Sequence, residues 1–443
     1  MRLGPIIALA IVTVAVRAVQ AQAPVEQAVP ARLSLDEALT RAMAASHRLA
    51  ELRARESAAA AVLDQRKVAD LPSLALQAGY QRTNHVDEFG VIQPDRSFSI
   101  IYPDVPDNWR ARLDMQWPIY TGGRDGALER AADAERQASQ QDIDSTRSDL
   151  KLETTRAFWA LVTATDAVRV VRESVTRIEK QLNDVRARFD AGFLPPNDVS
   201  TVEARVSREQ SLLIDAENRR DATRAELARL IGAPLDAAFE PDAALEQAET
   251  GTTPVASAAA ARMARADRQA LALRAEAASD RIDSAKAGFR PSLAVVGGYD
   301  YARPNPKIFP REDEWKPAWD VGVNVSWSLW NGGRTAAEVA EARSEATAAQ
   351  ERLAELDTVI GLEVRQRQLD LDSARAQGPP ALDAVKSAVE ARRVVQERFT
   401  AGVATNTDLL DAQQDQLEAG LQRTRALANV RLAEARLARA LGK

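Results

Sequence analysis

The sequence predicts a mainly α chain with a small β part, in which one structural unit is used twice. Three observations predict this class. First, the 443-residue chain repeats itself. At a shift of 210, Trp117 falls on Trp327, Gly122-Gly123-Arg124 on Gly332-Gly333-Arg334, Arg188-Phe189 on Arg398-Phe399 and Asp198 on Asp408. Upstream, Pro72-Ser73-Leu74-Ala75 matches Pro291-Ser292-Leu293-Ala294 at a shift of 219, so the length difference falls between Tyr80 and Trp117, where an exposed loop absorbs it. Second, each copy has a pair of short stretches with period two. Third, each copy then has a helical stretch far longer than an ordinary globular helix.

Taken in order, residues 1–23 read as a secretory signal. Arg2 is the charged start, Ile6 to Val16 the apolar core and Ala21-Gln22-Ala23 the small-residue end, with cleavage placed after Ala21 because Pro24 disfavours a later cut. The first mature helix starts at Ser34, since Ser34 and Glu37 form a capping box. Copy two starts with Thr253-Pro254, a cap followed by proline at the first helical position. Each helix ends before Pro72 or Pro291.

Next come the strands. Trp109, Ala111, Leu113, Met115 and Trp117 point one way, Arg110, Arg112, Asp114 and Gln116 the other. In copy two Trp319, Val321, Val323, Val325 and Trp327 oppose Asp320, Gly322, Asn324 and Ser326. Alternation alone fits a half-buried soluble strand, but tryptophans close both ends in both copies. Such strands, tilted, cover roughly 20 Å, close to the ~25 Å apolar band of an outer-membrane barrel with its aromatic girdles. The partner strands alternate more weakly, and the loops at 83–108 and 304–317 read as extracellular. Four strands cannot close a barrel, and an open edge cannot sit in lipid. The strands must therefore be completed by other copies: three chains give twelve, two give eight.

After each Gly-Gly-Arg the helical period returns. Arg124–Asp190 holds no proline and one glycine, Gly126, at its start; its 67 residues make a helix of about 100 Å. The chain turns at 191–197 and comes back. The first unit thus runs 24–232 (helix 34–71, strands 73–82 and 109–119, long helix 124–190, tip 191–197, helix 198–231). An irregular segment, 233–252, leads to the second unit, 253–443 (helix 254–290, strands 292–303 and 318–330, long helix 334–400, tip 401–407, helix 408–441). Gly378-Pro379-Pro380 inside the second long helix predicts a local bend, absent from the matching Val168–Val170.

These segments resemble the TolC-type outer-membrane efflux proteins. The resemblance covers the mature chain and is carried by WPIYTGGR, WSLWNGGR, RFDAGFLPPNDV and RFTAGVATNTDLLDA. It implies a homotrimer with a 12-stranded transmembrane β-barrel in the outer membrane of a Gram-negative bacterium. A periplasmic α-helical barrel continues it. A periplasmic adaptor (membrane fusion) protein and an inner-membrane pump of the RND, ABC or MFS type would dock at the tips, around Gly192, Phe193, Leu194, Gly402 and Val403. The family's acidic gate rings match Asp408 and Asp411, and its acidic linking position matches Asp198. Trp109, Trp117, Trp319 and Trp327 would form the membrane aromatic belt. The sequence departs from the family at two gate positions: Phe399 stands where the linking tyrosine is expected, and Ala404 where the arginine is. The closing network is therefore expected to be weaker or built from other residues.

Composition excludes several other classes. A net charge of -6 and a pI near 5.4 argue against nucleic acid. No cysteine is present, so packing or assembly must hold the fold. The two histidines, His47 and His85, are far apart, and no phosphate-binding glycine loop occurs, so no enzyme, metal site or cofactor is expected. The expected function is a passive exit duct of a tripartite efflux or type I secretion system, gated at the periplasmic tip. The alternative is a secreted structural or adhesive coiled-coil protein.

Overall fold

The structure, a computed structural model, describes residues 30–245 and 257–443. The signal at 1–23 and the Thr253-Pro254 helix start lie outside the described residues. The first half holds β1 (Arg32–Leu33), α1 (Leu35–Ala45), α2 (His47–Lys67), β2 (Ser73–Arg82), β3 (Phe89–Ile92), β4 (Phe98–Tyr102), β5 (Asp107–Tyr120), α3 (Arg124–Asp190) and α4 (Pro196–Leu230). After β6 (Glu240–Pro241) come α5 (Ala258–Ala264), α6 (Ala266–Lys286), a 3-10 turn at Ala287–Phe289, β7 (Ser292–Arg303), β8 (Lys316–Ser326), α7 (Arg334–Thr400) and α8 (Asn406–Ala440). The halves match in length: 21 residues in α2 and α6, 67 in α3 and α7, 35 in α4 and α8.

Several boundaries differ from the expected ones, each for a local reason. The helix expected over 34–71 is two helices. Ser46 is extended and caps α2 by accepting from the Leu49 N–H, and the helix ends at Lys67, before Pro72. The helix expected over 254–290 breaks at Arg265, the position matching Ser46 at the shift of 219; Arg265 is extended like Ser46 but makes no side-chain cap. Ser34 caps α1 by accepting from the Glu37 N–H, while the Glu37 carboxylate pairs with Arg41. β5 is longer than 109–119. β8 ends at Ser326 rather than 330, which leaves Trp327 one residue beyond the strand. The loop expected over 83–108 contains the β3–β4 hairpin, turned where Arg96 takes φ 69° and Asp95 accepts from the Ser97 N–H and hydroxyl. α4 and α8 begin at 196 and 406, two residues earlier than 198 and 408, because Pro196 suits the first helical turn and Thr405 caps the second helix. α7 runs unbroken through Pro379 and Pro380.

The sheet order is β2-β5-β7-β8, antiparallel throughout, with β2 and β8 as free edges. Direct pairing puts Leu76, Leu113, Tyr299 and Trp319 in one row and Leu74, Met115, Gly297 and Val321 in the next. This apolar face is exposed: Leu76 is 70%, Val321 68% and Val323 65% accessible. The other face is ionic. Asp300, with 1% of its side chain exposed, accepts from Arg110 at 2.7 Å and from Arg112, and pairs with Lys307 at 3.0 Å. Arg112 also reaches Asp114 at 2.6 Å and Asp320 at 3.2 Å.

Gly-Gly-Arg makes the strand-to-helix turns. Gly122 and Gly123 take φ 72° and 88°, and Gly332 and Gly333 take 67° and 86°, a left-handed conformation that side chains resist. The long helices then span the molecule. α3 packs on α2 and α6 in its first half and on α4 and α8 in its second; α7 packs on α6 and then α8. At the junction, Leu33, Ala38, Leu49, Phe158, Leu161, Leu227, Phe239 and Leu245 form one buried cluster. β1 pairs in parallel with β6 there, tying the start of the described chain to the inter-repeat segment. No described helix is long and apolar enough to cross a membrane.

Arg112 crosses β7 over Gly298, where a Cβ would collide with its guanidinium. Gly298→Val therefore displaces Arg112 from Asp320. Because the guanidinium is the far end of a flexible side chain, the cost should be that of the exposed Arg112–Asp320 pair, ~0–1 kcal/mol, read as a small drop in the temperature for heat-induced loss of β signal in circular dichroism.

Candidate functional site

The tip is built at the far ends of the four long helices. α3 and α7 stop the same way. Gly192 (φ 82°) donates to the Phe189 carbonyl at 2.8 Å, and Gly402 (φ 76°) to the Phe399 carbonyl at 3.1 Å. Phe193 and Arg188, then Val403 and Arg398, complete each turn. Phe193 and Val403, equivalent positions in the repeat, project outward at 80% and 68% exposure, whereas Leu194 is half-buried against the tip core.

That core contains Ile178, Val185, Val202, Phe399, Leu409 and Leu410. Phe399 is 3% exposed, while its counterpart Phe189 is 39% exposed. Arg188 accounts for part of the difference: its guanidinium lies 4.7 Å from the Phe399 ring centre and donates to the Phe399 carbonyl at 3.2 Å. An amide tie adds to it. Buried Gln181 donates to Asn406 Oδ1 at 3.3 Å, and buried Asn406 donates to the Asp198 carbonyl at 3.4 Å. The two hairpins are thus joined by Arg188, Gln181 and Asn406, none of them among the sequence-predicted residues. Arg188 was visible as the repeat partner of Arg398. Asn406, which precedes Leu409 and Leu410 in the first turn, carried no comparable signal.

The acidic residues are arranged differently from one another. Asp408 closes a capping box: it accepts from the Thr405 N–H at 2.9 Å, and the Thr405 hydroxyl accepts from the Asp408 N–H at 3.1 Å. The Thr405 backbone N–H, then its hydroxyl, hold the Asp408 carboxyl below its ordinary value, with Arg398 adding to the effect. Asp198 occupies the same helical position in α4, but Pro195 offers no side-chain cap there. Its carboxylate meets only Asn197, at 3.5 Å, and no described residue links it to Asp408, Asp411 or Phe399. Asp411 is exposed, one turn on from Asp408.

The four belt tryptophans are exposed on the sheet or at its helical end. Trp117 donates to the Asp70 carbonyl and Trp327 to the Phe289 carbonyl, both at 3.0 Å, so each indole anchors a helix-to-strand junction. Trp109 packs on Tyr80 with ring centres 4.4 Å apart. Trp319 pairs through Tyr299 to Leu113, so the four rings are staggered rather than lateral neighbours. No group of described residues could hold a metal ion.

Asp408's folded pKa is depressed, so its cap is present above the ordinary 3.8 and is lost as pH falls through the lower folded value. Amide exchange at Thr405 to Leu409, corrected for intrinsic rates, should rise below about pH 4. Asp408→Ala should produce the same rise at pH 7.

Comparisons with known proteins identify the architecture. The family model described as outer membrane efflux protein matches residues 38–233 and 258–443. The outer membrane protein TolC of Vibrio cholerae is 26% identical over 372 residues, covering 81% of this chain and 78% of its own length. Protein CyaE of Bordetella pertussis is 25% identical over 419 residues, covering 89% and 83%. Among solved structures, the outer-membrane channel OprN superposes with a TM-score of 0.77 at 20% identity, over 92% of this chain and 89% of that one. VceC from Vibrio cholerae gives 0.76 at 20% identity, over 92% and 96%. With both repeats inside the matched residues, the chain belongs to the outer membrane efflux protein family, whose members are Gram-negative outer-membrane channels and not enzymes.

Proposed function

We propose that three copies of this chain form the exit duct of a tripartite efflux or type I secretion system. The observation that carries this reading is the four-stranded sheet with two free edges and an exposed apolar face, joined by tight turns to helices of about 100 Å. Three such sheets close a twelve-stranded barrel without an edge in lipid, with the ionic face inward. Three sets of helices then wall a tunnel through the periplasm. The duct is passive; an inner-membrane pump drives export. A relative named as an alkaline protease secretion protein, from Pseudomonas aeruginosa, supports the secretion arm of this reading.

At the tip, Asp408 and Asp411 are exposed three residues apart at the start of α8, on one face. Tripled about the axis, they place six carboxylates around the constriction, which repel anions and concentrate cations. Phe399 and Arg188 hold each protomer's two hairpins together in place of a tyrosine–arginine link. The exposed Phe193 and Val403, beside Gly192 and Gly402, offer the apolar contact for an adaptor.

Two measurements test this. Mass determination in detergent should give a trimer; a monomer or dimer alone would refute the closure. In planar bilayers the native protein should be mostly closed and cation-selective. Asp408→Asn with Asp411→Asn should move the reversal potential in a salt gradient toward zero and relieve block by multivalent cations. Unchanged values would show that the charge filter lies elsewhere, for example at Arg110, Arg112 and Asp114.

A further inference from the structure

Midway along the long helices the wall of the chain contains a cavity of about 520 Å³. α3, α4 and α8 of one chain line it. Trp159 lies 31 residues before the end of α3 at Asp190, so the cavity is about 45 Å from the tip. It is well separated from the residues assigned to the gate. Its volume falls in the range of small-molecule sites, roughly 300–1,000 Å³, and is too small for a partner helix.

The lining has two chemistries. Trp159, Val171, Leu212 and Leu421 supply an apolar surface, and Arg431 stacks on the Trp159 ring at 5.2 Å, which fixes the indole. Arg156, Arg219 and Arg425 supply positive charge. None of these three makes an ion pair or side-chain hydrogen bond with a described residue. Their neighbours on the same helices do: Arg169 pairs with Asp166 at 2.6 Å, Arg172 with Glu217 at 2.5 Å and Arg224 with Asp221 at 3.1 Å. Asp215 is the one acid in the lining, so three positive charges face one negative. Arg436, outside the lining, lies near one of the three: burial first, then Arg156 and Arg367, push its guanidinium below the ordinary value. In a chain of net charge -6, cations left unpaired around an apolar cavity call for an anion with an apolar body.

We propose that this cavity binds a small amphipathic organic anion. Its apolar body lies against Trp159 and Leu212, and its carboxylate, sulfate or phosphate lies among Arg156, Arg219 and Arg425. Such a ligand is either a free amphiphile or an anionic lipid. The site does not depend on the tip's role, because binding is read without conduction.

The test is equilibrium binding to the full-length protein in a nonionic maltoside. The probe is 11-(dansylamino)undecanoic acid, and the control is a dansyl-labelled alkylamine of equal length. The acid should bind about tenfold more tightly than the amine. Arg219→Gln with Arg425→Gln should remove most of that preference without changing amine binding. Both positions are exposed, so the fold should tolerate the changes. Added salt should weaken the acid in the native protein, an independent check should the variant fail to assemble. Competition by dodecyl sulfate alone marks a free amphiphile, and by phosphatidylglycerol alone a lipid. Equal affinity for acid and amine, or an acid affinity unchanged both by the double substitution and by salt, overturns the proposal. So does an assembled protein that binds neither probe, because a neighbouring subunit then fills the cavity.

Discussion

Inside a bilayer every backbone N–H and C=O needs a partner within the protein, and each one left bare costs several kcal/mol. The sheet described here satisfies that demand between β2, β5, β7 and β8 and leaves it unmet along the outer edges of β2 and β8. The same strands expose leucine, valine and tryptophan on one face and bury Asp300 among Arg110, Arg112 and Lys307 on the other. A polar face of that kind suits water, and an apolar face of that kind suits lipid or another protein surface. The proposed orientation and the proposed assembly both answer to that one requirement. The helices inherit their placement from it, since the Gly-Gly-Arg turns leave three residues between the end of β5 and the start of α3.

The two halves are nearly congruent in length but not in chemistry. Through the body of the molecule, α3 and α7 present mostly small buried side chains, which let neighbouring helices approach closely. At the tip the copies part. Phe399 is enclosed and Phe189 is not; Thr405 caps its helix and Pro195 cannot. The amide tie through Gln181 and Asn406 is buried, and a buried amide stripped of its partner costs ~1–3 kcal/mol. Both hairpins thus share one core, and each accepts one tie through a backbone carbonyl, at Phe399 in the second and at Asp198 in the first.

The duplicated order of elements was legible because it rests on strong local signals: long proline-free runs, glycine pairs that force a turn, and alternation ended by tryptophan. What the sequence concealed were places where two weak signals compete. The helix over 34–71 reads as continuous because Ser46 is a tolerable interior residue; in the structure it is extended and caps α2 instead. The β3–β4 hairpin was masked by its Pro-Asp-Arg turn, which reads as plain loop. At the tip, Asp408, Phe399 and the two glycines stood out by repeat position. The bonds of Gln181 and Arg188 join segments more than 200 residues apart, and no periodicity within one helix reports them.

The small parallel pair of β1 with β6 has a mechanical consequence. It fastens the start of the described chain to the segment between the repeats, over a buried cluster that also grips α1, α3 and α4. In the proposed trimer such fastenings, repeated around the circumference, would act as a hoop at the waist. A hooped cylinder resists widening where it is bound and flexes at its unbound rim. The long helices of that trimer would then work as levers about the girdle, and a small angular change there would be magnified by the ~50 Å that separate it from their free ends.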